Sequence, residues 1–286
     1  MNDFFETFKK DLKLIKEKNP MVHHITNFVT MQDCANICVA LGASPVMAFY
    51  SGEVSEITAV SNSVVLNTGT PDLERIKSVI ISGKEAEKKG IPIILDPVGV
   101  GATNFRRESI KTVLQNIKPS IIKGNSAEIK VLSGCMPKLN KGVDSVENFD
   151  ENDKITAKIL AKNTGSVIAV TGTEDYITDG EREITITRGS KFLKTISGSG
   201  CMTSTLTGGF AAVEKDMFLA CAFGILTMDL CGETAEKLLL DNEGAGMFKV
   251  RLFDAVYNMV NTHYDFREGI HFEFWRKFFK SLCCNR

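Results

Sequence analysis

Hydrophobic and polar positions follow two rhythms along the chain. Phe4, Phe5, Phe8, Leu12 and Ile15 recur at helical spacing, so residues 1–18 predict an amphipathic helix of mixed charge. Residues 21–25 predict a short strand. Thr26 and Asn27 read as cap residues for a helix over 28–41, closed by Gly42. Another short strand is expected at 44–48. Short apolar runs then alternate with longer amphipathic ones. Strands are expected at 63–67, 91–95, 120–122 and 166–170, and helices at 72–89, 105–117, 127–132 and 150–163. Parallel neighbours need a crossover, so the alternation implies an α/β fold: a mostly parallel central sheet with helices on both faces, in three αβα layers.

The period then shortens. Residues 176–178, 183–187 and 191–196 are β-prone runs with turns at Asp179-Gly180 and Gly189, which predicts hairpins at the sheet edge. Helices are expected over 203–213, 217–240 and 248–261. No internal repeat or Pro/Gly/Ser-rich linker divides the chain, so residues 1–264 read as one domain. The polar loop 134–149 is expected at the surface. The tail 265–286 is rich in aromatic and basic residues and reads as a docking helix, a basic patch or a disordered segment.

Composition narrows the function classes. A formal net charge of −1 gives no broad attraction to nucleic acid or to an acidic membrane. No apolar run approaches the roughly 20 residues that cross a bilayer. The eight cysteines are scattered without a Cys-x-x-Cys pair, which points to reduced thiols in a cytoplasmic protein. Their spacing, with only four histidines, argues against zinc. The chain lacks a Gly-x-x-x-x-Gly-Lys-Ser/Thr loop, and no Gly-x-Gly-x-x-Gly opens its first helix, so a P-loop NTPase and a standard dinucleotide enzyme are disfavoured.

Polar groups gather at strand ends. The apolar run 91–95 ends in Asp96, the run 120–122 in Lys123-Gly124-Asn125, and the run 166–170 in Thr171-Gly172. Ligands of open parallel sheets bind beyond the carboxyl ends of the strands, so these groups should line one crevice. Gly198-Ser199-Gly200-Cys201 lies between a β-prone run and a small-residue helix, where backbone N–H groups converge on an anion. Each feature also has a plain structural reading. Asp96 could cap its own turn, and Asn125 with Glu128 could form a capping box instead of holding Mg²⁺ through water. Met47 could be a core side chain instead of a pocket wall, and Cys201 a buried structural thiol. His23 and His24 read as structural or as pocket wall.

In this order the stretches VHHITNFVTMQDCAN (22–36), LGASPVMA (41–48), LDPVGVGAT (95–103), KGNSAE (123–128), VTG (170–172) and SGSGCM (197–202) resemble the hydroxyethylthiazole kinases of the ribokinase-like superfamily. The resemblance implies ATP-dependent phosphorylation of 4-methyl-5-(2-hydroxyethyl)thiazole with Mg²⁺, in a homotrimer with active sites at subunit interfaces. By position, Met47, Asn27 and Gly198 would contact the thiazole, and Lys123 and Thr171 the ATP. Asp96 and Glu128 would serve the metal–phosphate region. Cys201 would face the substrate hydroxyl, with Gly198 and Gly200 lending amides to the moving phosphoryl group. Lys123 stands where arginine is frequent in the family, and Ser199 where threonine is frequent. Lysine keeps the charge but loses the planar fork. A kinase of another small alcohol, such as hydroxymethylpyrimidine, and a non-catalytic thiazole- or nucleotide-binding regulator are the alternatives.

Overall fold

The structure, a computed structural model, describes residues 2–134 and 150–262. The loop after residue 134 and the tail from 265 lie outside these residues. Eight strands form one sheet: β1 (Met21–Ile25), β2 (Ser44–Val46), β3 (Ser63–Asn67), β4 (Ile93–Asp96), β5 (Ile121–Asn125), β6 (Val167–Thr171), β7 (Asp175–Thr178) and β8 (Glu183–Ile186). Their order is β2-β1-β3-β4-β5-β6-β7-β8. The first six are parallel, and β7 pairs antiparallel with both β6 and β8.

Side chains alternate across the sheet, so its central strands feed two cores. Val22, Val65, Ile94, Ile121 and Ala169 pack with α1 (Asn2–Lys18), α2 (Met31–Ala40), α8 (Ser199–Ala211), α9 (Met217–Lys237) and α10 (Ala245–Asn261). Ile25, Val64, Leu66, Leu95, Ile122 and Ile168 pack with α3 (Val54–Val60), α4 (Leu73–Lys89), α5 (Asn104–Asn116), α6 (Ser126–Leu132) and α7 (Glu151–Thr164). Helices on both faces explain why β3 is buried at every position. The chain steps from β1 outward to β2 and then returns to β3 on the other side. That switch point opens a crevice at the carboxyl ends of β1 and β3.

The three-layer αβα architecture and the antiparallel edge follow the hydrophobic pattern, with five local differences. The run 191–196 is not a strand; Lys191–Thr195 is a 3₁₀ helix. The Ser190 hydroxyl accepts from the Phe192 N–H (3.0 Å) and donates to Glu236 (2.6 Å), while the Gly189 N–H reaches Glu233 (3.0 Å), so α9 draws this segment off the sheet edge. The helix expected from residue 28 starts at Met31, because Asn27 Oδ1 accepts from both the N–H and hydroxyl of Thr30 and closes a separate turn. The helix expected from 203 starts at Ser199, so the glycine-rich stretch is its first turn. The short helix α3 carried no clear pattern. Finally, α9 is long and apolar enough to cross a membrane by length and composition, contrary to the expectation of no such run, yet most of it is buried within the protein.

Two helices pack closer than side chains normally allow. A Cβ at Gly224 of α9 would lie 2.4–2.6 Å from the Thr207 side chain and backbone on α8, and one at Gly208 would lie 2.6 Å from Val65 in β3. Glycine here lets α9 press α8 onto the sheet. Gly224→Val should therefore destabilise the fold by about 2 kcal/mol or more, because backbone cannot yield as a side chain can. Gly246 of α10 has nothing within 4 Å of its would-be Cβ. Gly246→Ala should stabilise by about 0.5–1 kcal/mol, both effects read as shifts in the urea midpoint.

Candidate active site

The parallel strands deliver polar side chains to one end of the sheet. Asn27 follows β1, Asn67 ends β3, Asp96 ends β4, Lys123 lies in β5 and Thr171 ends β6. Asn67 and Asp96 are register partners. Asp96 Oδ2 accepts hydrogen bonds from Asn67 Nδ2 (3.0 Å) and the Ser204 hydroxyl (2.7 Å) and lies 3.4 Å from Lys123 Nζ. Lys123 Nζ also donates to the Gly200 carbonyl (2.9 Å). Cys201 Sγ accepts from Asn27 Nδ2 (3.3 Å) and Asn67 Nδ2 (3.2 Å). Four strand ends are thus tied to the first turn and a half of α8, and Asn27, Asn67, Asp96, Lys123, Cys201 and Ser204 are all buried.

The start of α8 explains its glycines. Gly198 is the cap residue, with φ +88°. A Cβ there would meet Thr30 Cγ2 at 2.3 Å, so both conformation and space call for glycine. The Met202 N–H makes the first intrahelical bond, to the Gly198 carbonyl (2.9 Å). The N–H groups of Ser199, Gly200 and Cys201 precede it and carry the positive end of the helix dipole. A Cβ at Gly200 would lie 3.3 Å from Lys123 Nζ. An ammonium and a helix N-terminus therefore meet at one place, the requirement for an anion site.

Burial and neighbours set the protonation states. Burial alone would lower the Lys123 pKa, but Asp96, Cys201 and Glu128 outweigh it and raise it, so Lys123 is a cation. Burial and Asp96 push the Glu128 carboxyl up to about 7, against hydrogen bonds from the N–H groups of Gly99 (2.7 Å) and Asn125 (2.8 Å). Asn125 and Glu128 form the reciprocal capping box that the sequence had left open against a metal role. Burial, then Asp96, push the Cys201 thiol up, and the pull of Lys123, Thr30 and Asn67 does not reverse it. At neutral pH Cys201 is a thiol. Burial first, and the Asp96 carboxylate second, outweigh the pull of the helix N-terminus toward a thiolate.

Among the described residues no cluster of three or more His, Cys, Asp or Glu could hold a metal ion. Asp96 and Glu128 nevertheless suit a dication that keeps most of its waters. They are two buried carboxyl groups, and the proximity of one raises the pKa of the other, a strain that a cation would relieve.

The remaining expected residues sit less centrally. The Thr171 hydroxyl lies 3.4 Å from the Gly124 carbonyl, one strand beyond Lys123. Met47 is half-buried just past β2, separated from β3 by β1, and makes no hydrogen bond to the cluster. His23 and His24 are both buried in β1. His23 Nε2 donates to the Ala48 carbonyl (2.8 Å) and Nδ1 accepts from Thr58 (2.9 Å). Burial lowers both histidines, His24 to about 3.

Three residues had not been singled out. Asn67 ends its strand as Asp96 ends the next, a signal that sequence offered. Ser204 lies three positions after Cys201 and so shares its helix face. Arg106 had no such signal. Its guanidinium donates to the carbonyls of Thr68 (3.2 Å), Gly69 (2.7 Å) and Val98 (2.8 Å), clasping the loops after β3 and β4.

Comparison with known proteins identifies the family. Residues 12–262 match the model of the hydroxyethylthiazole kinase family. A hydroxyethylthiazole kinase from Ruminiclostridium cellulolyticum is 40% identical over 261 residues, covering 91% of this chain and 95% of that protein. The solved structure of a hydroxyethylthiazole kinase from Pyrococcus horikoshii superposes with TM-score 0.79 at 35% identity, covering 91% of this chain and 97% of that one. A ribokinase-like superfamily protein from Enterococcus faecalis, 13% identical, shares the fold with TM-score 0.62 over 88% of this chain and 94% of that one. The chain belongs to the hydroxyethylthiazole kinase family.

Proposed function

We propose that the protein transfers the terminal phosphoryl group of ATP to the hydroxyl of 4-methyl-5-(2-hydroxyethyl)thiazole, giving ADP and the phosphate ester used in thiamine salvage. The observation that carries this reading is the meeting of Lys123 with the first turn of α8, at the Gly200 carbonyl, beside a buried Asp96 and Cys201. Phosphoryl transfer needs positioning and charge stabilisation more than covalent chemistry from the protein. Lys123 and the Ser199–Cys201 amides hold the charge that develops on the moving phosphoryl oxygens. Thr171 and Gly172 sit where the nucleotide would pass, at the end of β6. Magnesium, when bound, would be held by Asp96 and Glu128 and would neutralise charge on the phosphate oxygens.

The alcohol would lie between Asn27, Cys201 and Gly198, with Met47 toward its ring. Its oxygen attacks phosphorus as the bond to ADP breaks. In a loose transition state the alcohol proton leaves late, so a neutral thiol at Cys201 serves to position the hydroxyl and does not need to carry the rate. A cytoplasmic homotrimer with active sites at its interfaces completes the proposal. Exposed Phe28, Val29, Phe49 and Tyr50, on the segments after β1 and β2, support it as an apolar face beside the crevice.

Mass-spectrometric detection of the phosphorylated thiazole after incubation with Mg·ATP tests the reaction, and a hydroxymethylpyrimidine arm separates the neighbouring substrate class. Cys201→Ala should retain measurable turnover, with a loss below the roughly 10²–10⁴-fold typical of removing a general base. Because the thiol stays protonated through neutrality, its removal should leave the pH–rate profile unchanged in shape from about pH 6 to 8. Gly200→Val and Lys123→Met should each cost about 10²–10³-fold in kcat, since both remove charge stabilisation at the phosphoryl site. A Cys201→Ala profile that loses an inflection, or a harmless Gly200→Val, would reverse this ranking.

A further inference from the structure

Behind the nucleotide end of the site, two buried carboxyl groups face one another. Asp175 opens β7 and Asp229 lies in the middle of α9, and both are buried. Helix α9 packs against β7, and each carboxyl acts on the other. Asp175 Oδ1 also accepts from the Gly172 N–H (2.9 Å), the residue after Thr171. Asp229 Oδ1 abuts Gly189, where a Cβ would lie 2.9 Å away. Asp229 Oδ2, in contrast, is buried with no hydrogen-bond donor among the described residues.

A carboxylate only accepts hydrogen bonds, so two ionised groups cannot bond each other, and an orphaned buried oxygen is costly. One proton between them satisfies the orphan and removes one of two like charges. The surroundings leave no other partner for the proton's role. Lys123 acts on Asp175 from β5, but it is bonded to Gly200 and paired with Asp96. Arg188 faces the pair from the segment after β8, but it is bound to Glu233. Glu233, one turn along α9, adds a further negative charge, and Cys221 on the same helix is a protonated thiol because burial pushes it up.

We propose that Asp175 and Asp229 share one proton, and that this acid pair is a positioning element that fixes the Thr171-Gly172 turn for the nucleotide. The proposal rests on the kinase reading only for the identity of the nucleotide. Asp229 is the donor and Asp175 the acceptor, since the Gly172 N–H already favours an ionised Asp175. Burial raises both groups, Asp175 to about 6 and Asp229 well above the usual carboxylate range. A raised folded-state pKa means that the stabilisation is present at low pH and is lost as pH rises through it. The shared proton should therefore be held below the raised pKa of Asp229 and surrendered as pH rises through it, where two facing carboxylates would push the turn out of place.

Two readouts test this on the intact protein. Infrared difference spectra of wild type minus Asp229→Asn, recorded at neutral pH, should show a protonated-carboxyl stretch that only the wild type carries. In steady-state kinetics the wild-type KM for ATP should climb about tenfold as pH rises through the loss of that proton while kcat changes little, the expected cost of one unsatisfied buried bond. Asp229→Asn keeps a donor without a titrating proton, so its KM should stay near the wild-type value at neutrality and remain flat. Asp229→Leu should carry a KM raised about tenfold at every pH. Absence of the acid band, or an alkaline rise in KM that persists in Asp229→Asn, overturns the proposal. If the thiazole alcohol is not turned over, the kinase reading fails. The infrared band and ATP affinity by calorimetry then still decide the acid pair.

Discussion

Asp96 is a buried carboxylate to which Asn67 and Ser204 each donate a hydrogen bond and beside which Lys123 lies at 3.4 Å. Much of the site depends on that one group. It anchors the end of β4, holds the side chain of β3 and fixes α8 in rotation, since Ser204 reaches it from the second turn. It also offsets the desolvation that would otherwise discharge Lys123. Buried charges of this kind persist only when paired and hydrogen-bonded. The positive charge that the proposed phosphoryl site needs therefore exists because a negative one is buried behind it.

The cluster is held by packing as much as by polar contacts. Gly208 and Gly209 let α8 approach the sheet and α2, and Gly224 lets α9 press against α8 from outside. A helix fixed this closely holds its N-terminal amides in place before any ligand arrives, which is the preorganisation that electrostatic catalysis needs. The same helix α9 carries Glu233 and Glu236, which hold the segment 188–190, and Asp229 of the proposed acid pair. One apolar core helix thus braces the proposed phosphoryl site through α8 and, in the proposed acid pair, the nucleotide side.

Cys201 shows how surroundings decide chemistry. A helix N-terminus alone favours a thiolate. Here the thiol is buried, receives amide N–H groups from Asn27 and Asn67, and lies near Asp96, and the sum keeps its proton. The proposed contribution of Cys201 is therefore geometric, which suits a reaction in which the alcohol proton departs late.

The layered α/β fold and the placing of Asp96, Lys123, Thr171 and Gly198–Cys201 at one sheet end were legible in the chain itself. Apolar runs bounded by polar residues at strand ends state both the period and the edge of burial. The switch of 191–196 from strand to 3₁₀ helix was not legible, because Glu233 and Glu236 some forty positions away redirect that segment. Arg106, the choice of capping box at Glu128, the protonated Cys201 and the facing of Asp175 with Asp229 were equally hidden. Local sequence determines which faces are apolar and where elements begin and end. Hydrogen-bond partners and protonation states depend on distances between segments remote in the chain, and only the folded packing sets those.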